Sequence, residues 1–172
     1  MDERTDVPIT HRSFISYIDR TREYYAAQGY KKAYQWAHHE DVPFSGLAKP
    51  LAESRVTLIT TASLAAPNDA RDGVLRGNKH VWSGETSETP ERLYTDDLAW
   101  DKENTHTDDV ASFLPLAALR SFVDDGRIGS LTPRFHGVPT DYSQRRTTEE
   151  DAPEIVSRCL EDGADIALLV PL

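Results

Sequence analysis

The stretch Ala164-Asp165-Ile166-Ala167-Leu168-Leu169-Val170-Pro171-Leu172 closes the sequence and decides its fold. Ile166 to Val170 is a continuous apolar run entered from Gly163, a residue suited to ending a helix. Such a run predicts a strand buried on both faces, as in a parallel sheet. In open α/β sheets, ligands and reactive side chains gather in the crevice beyond the carboxyl ends of the strands. The sequence stops where that crevice would begin, so the expectation is that the reactive part lies beyond Leu172.

Working outward, Thr147-Thr148-Glu149-Glu150 offers a capping box, Thr147 to Glu150, for a helix over Thr148 to Glu161 that presents Ile155, Val156, Cys159 and Leu160 on one face. Cys159 is the single cysteine, which excludes an intrachain disulfide and fits a reducing compartment. On an apolar stripe, with no cation or helix N-terminus beside it, this thiol reads as a small hydrophobe.

A second strand is predicted at Arg55-Val56-Thr57-Leu58-Ile59-Thr60-Thr61, β-branched and nearly continuous in apolar character, pairing beside the C-terminal strand. Thr60, Thr61 and Ser63 then fall at its carboxyl end, where hydroxyls either bind substrate or cap the following turn. Leu114 to Asp125 reads as an amphipathic helix with Leu116, Leu119 and Val123 on one face and Gly126 closing it. Thr10 to Gln28 reads as another, with a thin aromatic stripe of Phe14, Ile15, Ile18, Tyr24 and Tyr25, ended by Gly29. The polar connector that follows contains His38, His39, Glu40 and Asp41 between Trp36 and Phe44. Adjacent residues on an extended chain point apart, and no metal-binding spacing is present, so this is a solvated linker.

From Ala65 to Ser112 no periodicity is sustained, and the stretch reads as an aromatic-pinned excursion over the active edge of the sheet. His106 with Asp108 or Asp109 forms either a general acid/base pair, two ligands of a divalent metal, or a capped loop entering the next helix. Two prolines and a glycine make Thr132 to Thr140 a loop. There Arg134 and His136 either meet an anionic substrate or lie solvated at the surface.

The 172 residues carry a formal net charge of −10, and residues 85 to 109 hold nine acids against Arg92 and Lys102. No basic face is available to displace the counterions of a nucleic acid, which excludes that class of partner. No apolar run reaches the roughly 18 residues of a membrane span, and Met1-Asp2-Glu3-Arg4 begins no signal peptide. The expected compartment is the cytoplasm. The expected organisation is an N-terminal helical extension over 1–33 and an α/β domain over 34–172. That domain has three layers and a mostly parallel sheet, Rossmann-like or flavodoxin-like, or half of such a sheet left incomplete at the C-terminus.

Ordered short motifs run through most of 34–172: Tyr34-Gln35-Trp36-Ala37, Lys49-Pro50-Leu51 before the strand at Arg55, and Trp100-Asp101-Lys102 through Asp109. Phe113-Leu114-Pro115, Gly126-Arg127-Ile128-Gly129-Ser130-Leu131, Pro133-Arg134-Phe135 and Ala152-Pro153-Glu154-Ile155 follow, then Asp162-Gly163-Ala164-Asp165 and Leu168-Leu169-Val170-Pro171. In this order the chain resembles the selenoprotein B family of glycine, sarcosine and betaine reductases, and within it the proline-reductase-like members. The resemblance implies reductive cleavage of a carbon–nitrogen bond. It also implies a selenocysteine or cysteine followed by proline, a variable residue and cysteine directly after the terminal strand. A pyruvoyl-bearing partner subunit and an external dithiol reductant are implied as well. This sequence ends immediately before that motif, and selenocysteine is encoded by UGA, which is ordinarily read as stop.

Three readings with different consequences follow. A reductase fragment predicts an incomplete sheet with an apolar edge at Val170 that makes the isolated chain aggregate or form a homo-oligomer. A complete non-catalytic α/β binding or interaction module predicts a monomer that unfolds cooperatively. A hydrolase or lyase predicts an activity lost on replacing His106.

Overall fold

The computed structural model describes residues 16–32, 35, 37–43, 45–64, 80–95, 103–138 and 143–172. Phe14, Ile15, Trp36, Phe44 and the Trp100-Asp101-Lys102 motif lie outside these residues. The chain divides into two compact units, Met1–Val42 and Pro43–Leu172.

In the first unit, helix α1 (Tyr17–Ala27) starts at Ser16, whose hydroxyl oxygen accepts the Asp19 N–H at 3.3 Å. It ends before Gly29, which takes the left-handed conformation (φ +87°) that a side chain resists. Tyr25 lies edge-on to both Tyr24 and Tyr30 at centroid distances of 5.6 Å.

The second unit is built on a five-stranded, mostly parallel sheet with helices against it, an open α/β architecture. Strand β1 (Arg55–Thr60) is central. One flank is shared by β3 (Ser130–Leu131), paired at Arg55 and Val56, and β4 (Arg134–Gly137), paired at Ile59 and Thr60. Strand β5 (Ile166–Val170) runs parallel to β1 along the other flank in five-residue register, from Val56 opposite Ile166 to Thr60 opposite Val170. Strand β2 (Trp82–Glu85) is antiparallel to β4 at the outer edge.

Side chains alternate across this sheet. Val56, Leu58 and Phe135 face helix α2 (Leu116–Asp124), where Leu116 and Leu119 join them with Leu93, Leu114 and Ile128 in the core. Phe135 seats edge-on against Trp82 at 5.5 Å. Gly84 lies directly opposite Phe135 and Gly137 opposite Trp82, and each glycine leaves room for the ring facing it. The other face lies against a helical segment made of α3 (Gln144–Arg146), a π turn (Thr147–Asp151) and α4 (Ala152–Glu161).

The β1–β5 register is clamped at its start by Asp165. Its carboxylate accepts the Arg55 N–H at 2.7 Å and meets Lys49 Nζ at 2.7 Å, while its own N–H donates to Arg55 O. Those partners hold the Asp165 carboxyl below its ordinary range, the Arg55 N–H contributing most.

Five expectations are corrected. Strand β5 is not buried on both faces: Leu168 is 39% exposed and Leu169 68%, and among the described residues β1 is the one strand that flanks it. The helix begins at Gln144, not at a Thr147 capping box. Ser143 accepts the Arg146 N–H, and Thr147 and Thr148 donate their hydroxyls back to Ser143 O and Gln144 O. Of its expected apolar face only Ile155 is buried, with Val156 and Leu160 exposed. Residues Arg134–Gly137 form a strand within the expected loop, since Pro133 precedes the ladder and removes no donor from it. Strand β2 emerges from the aperiodic stretch, its four residues too few to show alternation.

Candidate functional site

Two polar sites arise from this topology. Across the sheet the parallel strands lie β4, β1, β5, so the chain goes from β1 to one side and then crosses to the other. The helices of these two crossovers, α2 and α4, lie on opposite faces, and the exits of β1 and β5 mark the switch point at which α/β sheets hold ligands.

Thr60, Thr61 and Leu172 meet there. Thr60 is fully buried and its hydroxyl oxygen accepts the Ala62 N–H at 3.2 Å, a capping role. Thr61 Oγ1 accepts the Leu172 N–H at 2.8 Å, tying the exit of β5 to the exit of β1. Ser63 exchanges backbone bonds with Tyr94, and Trp82 Nε1 donates to Ala62 O, so the excursion is fastened over this end of the sheet.

The second site lies on the opposite face, between β2, β4 and α4. His136 is completely buried. Its Nδ1 is 2.9 Å from Ser83 Oγ and its Nε2 is 3.6 Å from Asp162 Oδ2, with no hydrogen-bond partner on Nε2 among the described residues. Arg158 Nη1 donates to Ser83 Oγ at 2.9 Å. Asp162 is held by the fork of Arg134, whose Nε and Nη2 reach its oxygens at 2.8 to 3.0 Å. The carboxylate in turn raises the Arg134 pKa. Burial is the main influence on His136 and lowers its pKa, favouring the neutral ring, with Asp162 opposing and Arg134 and Arg158 adding to the shift. Arg158 also lines an open cleft of about 340 Å³ together with His80, Val81, Arg146, Glu150, Asp151 and Glu154.

Of the residues singled out by sequence, Arg134 and His136 are brought together, though by Asp162 and with no solvated position for His136. His106, Asp108 and Asp109 are not drawn into a cleft. The His106 side chain is 71% exposed and its Nδ1 accepts the Asp108 N–H; Asp108 pairs with Arg92 at 2.8 Å. Asp109 caps a 3₁₀ turn through Ala111 N and Ser112 Oγ, the loop-capping role. Cys159 is half-buried and its thiol pKa is raised, chiefly by desolvation. His38, His39, Glu40 and Asp41 are exposed. Among the described residues, no group of three His, Cys, Asp or Glu side chains is placed to hold a metal, and no helix is long and apolar enough to cross a membrane.

Sequence reasoning missed Ser83 and Asp162. Ser83 sits in a strand too short to show a pattern, and Asp162 is indistinguishable locally from any polar residue at a helix end. Comparisons with protein-family models, curated proteins and solved structures found no match to this chain.

Proposed function

We propose that this chain is the N-terminal, scaffolding part of a selenol- or dithiol-dependent reductase of the glycine, betaine, sarcosine or proline type, acting in the cytoplasm. The reading rests on the motif resemblance, and one observation carries it in the geometry: the Leu172 N–H is bound to Thr61 Oγ1 at the switch point of the sheet. A selenocysteine- or cysteine-containing pair following Leu172 would emerge in the crevice where such sheets place their chemistry. A helix starting there would favour the anionic nucleophile through its N-terminal dipole. On this reading Thr60 and Thr61 support the crevice, and a pyruvoyl-bearing partner subunit and a dithiol supply the activated substrate and the reducing electrons. The redox centre belongs to residues beyond Leu172.

The exposure of Leu168 and Leu169 on β5, where a continuing parallel sheet would add a neighbour, supports the same reading. It also favours the second one, a binding or interaction module that seats a partner against β5, with Val156 and Leu160 likewise exposed on the helix leading to it.

Sequencing the gene through the codon after Leu172 separates the two. In-frame UGA or a cysteine codon followed by Pro-x-Cys is the expected result. Another stop codon with no open frame behind it would overturn the reductase reading and leave the interaction module.

A further inference from the structure

The roles of the two His136 nitrogens follow from the groups that face them. Arg158 can only donate, so Ser83 Oγ accepts from it, and with one proton and one lone pair left that hydroxyl can serve either tautomer at His136 Nδ1, 2.9 Å away; the Asp162 carboxylate decides between them in favour of an accepting Nδ1. With Nδ1 accepting, the ring proton lies on Nε2, facing the Asp162 carboxylate at 3.6 Å. The opposite tautomer would point a lone pair at that carboxylate. Hydroxyl, imidazole and carboxylate therefore stand in the order and polarity that activate a serine, with the Arg134 fork holding the carboxylate in place.

We propose that Ser83 is a nucleophile for acyl transfer, with His136 as its general base and Asp162 as the positioning residue, serving small polar esters or thioesters that enter from the cleft lined by Arg158. This site stands apart from the strand-end crevice and does not depend on the reductase reading. Ser83 is half-buried, one guanidinium away from the cleft. The cleft carries both signs of charge, from Arg146 and Arg158 against Glu150, Asp151 and Glu154, which suits a polar rather than a greasy acyl group.

In the step itself, Ser83 Oγ bonds to the acyl carbon while its proton passes to His136 Nδ1 and the carbonyl electron pair moves onto oxygen. That charge sits on the former carbonyl oxygen rather than on Ser83 Oγ, and the Arg158 guanidinium beside the new bond offsets it electrostatically. Collapse expels the alkoxide or thiolate, which takes the proton from Nδ1. Water then repeats the sequence on the acyl-serine, releasing the acid and restoring Ser83. The transient imidazolium is faced by Asp162 and Glu161, which favour it, and by Arg134 and Arg158, which oppose it.

The test is phosphonylation of the intact chain by a fluorophosphonate, in which an oxygen–phosphorus bond forms as fluoride leaves, with the adduct located by peptide mass spectrometry. The expected result is an adduct at Ser83, absent in Ser83→Ala and formed about 100-fold more slowly in His136→Gln. Its rate should rise with pH as one group deprotonates below the ordinary histidine range. No adduct at Ser83, or an unchanged rate in folded His136→Gln, would overturn the assignment. Should His136→Gln fail to fold, the wild type decides: an adduct at Ser83 formed no faster than at the exposed Ser112 also overturns it.

Discussion

The Leu172 N–H donates to Thr61 Oγ1 across 2.8 Å, so the last residue of the chain is held by the first residue beyond β1. Together with the Asp165 carboxylate on the Arg55 N–H, it brackets the β1–β5 pair at both ends. Thr61→Val keeps the shape and deletes the acceptor. It should cost about 1 kcal/mol in urea unfolding and accelerate hydrogen exchange at the Leu172 amide. Unchanged exchange there would mean that the bond does not anchor the strand exit.

His136 supplies a pH dependence. Its folded-state pKa lies below the ordinary 6.5, mainly through burial, so the unfolded chain binds the proton more readily. The stabilisation is full above pH 6.5 and is lost as pH falls from there through the folded value. Urea midpoints between pH 7 and 5 should decline for the wild type and flatten in this window for His136→Gln. An equal decline in both would assign the dependence to other groups.

At Gly137 a methyl group would enter the indole of Trp82. The ring is also held by its bond to Ala62 O, so it cannot turn away freely. Gly137→Ala should destabilise by about 1–3 kcal/mol and change the near-ultraviolet circular dichroism of the tryptophans. Wild-type stability in this variant would show that the β2 edge yields without cost.

The uncovered flank of β5 should promote self-association. Leu169→Lys places a charge on a side chain already 68% exposed, so stability should change by no more than about 0.5 kcal/mol while sedimentation shifts toward monomer. Equal association of both proteins would exclude this edge as the contact.

The elements legible in the sequence were those whose burial repeats along the chain. Val56 and Leu58 alternate within β1, and Leu116 and Leu119 recur at helical spacing in α2, so local pattern and tertiary environment agree. Strand β4 was hidden because it has four residues between prolines, and its burial comes from β1 and β2 rather than from its own composition. The β5 run was legible as a strand, but its hydrophobicity announced a burial that a single neighbour does not supply. The His136 site was illegible for another reason. Its partners Ser83 and Asp162 lie 53 and 26 positions away, and sheet register and helix phase, not spacing, bring them to one ring.

That phase is set by the π turn at Thr147–Asp151. A π turn holds one residue more than an α turn, and each residue advances a helix by about 100°. The turn sets one part of the rod against the other: the leading turns offer Arg146, Glu150 and Asp151 to the cleft, which Glu154 and Arg158 of the trailing turns also line, while Arg158 and Asp162 reach Ser83 and His136. Deleting a single residue in the turn would leave the apolar content of the helix nearly untouched and rotate one part against the other. This helix is thus a place where insertion length, rather than residue identity, governs which charges share a site.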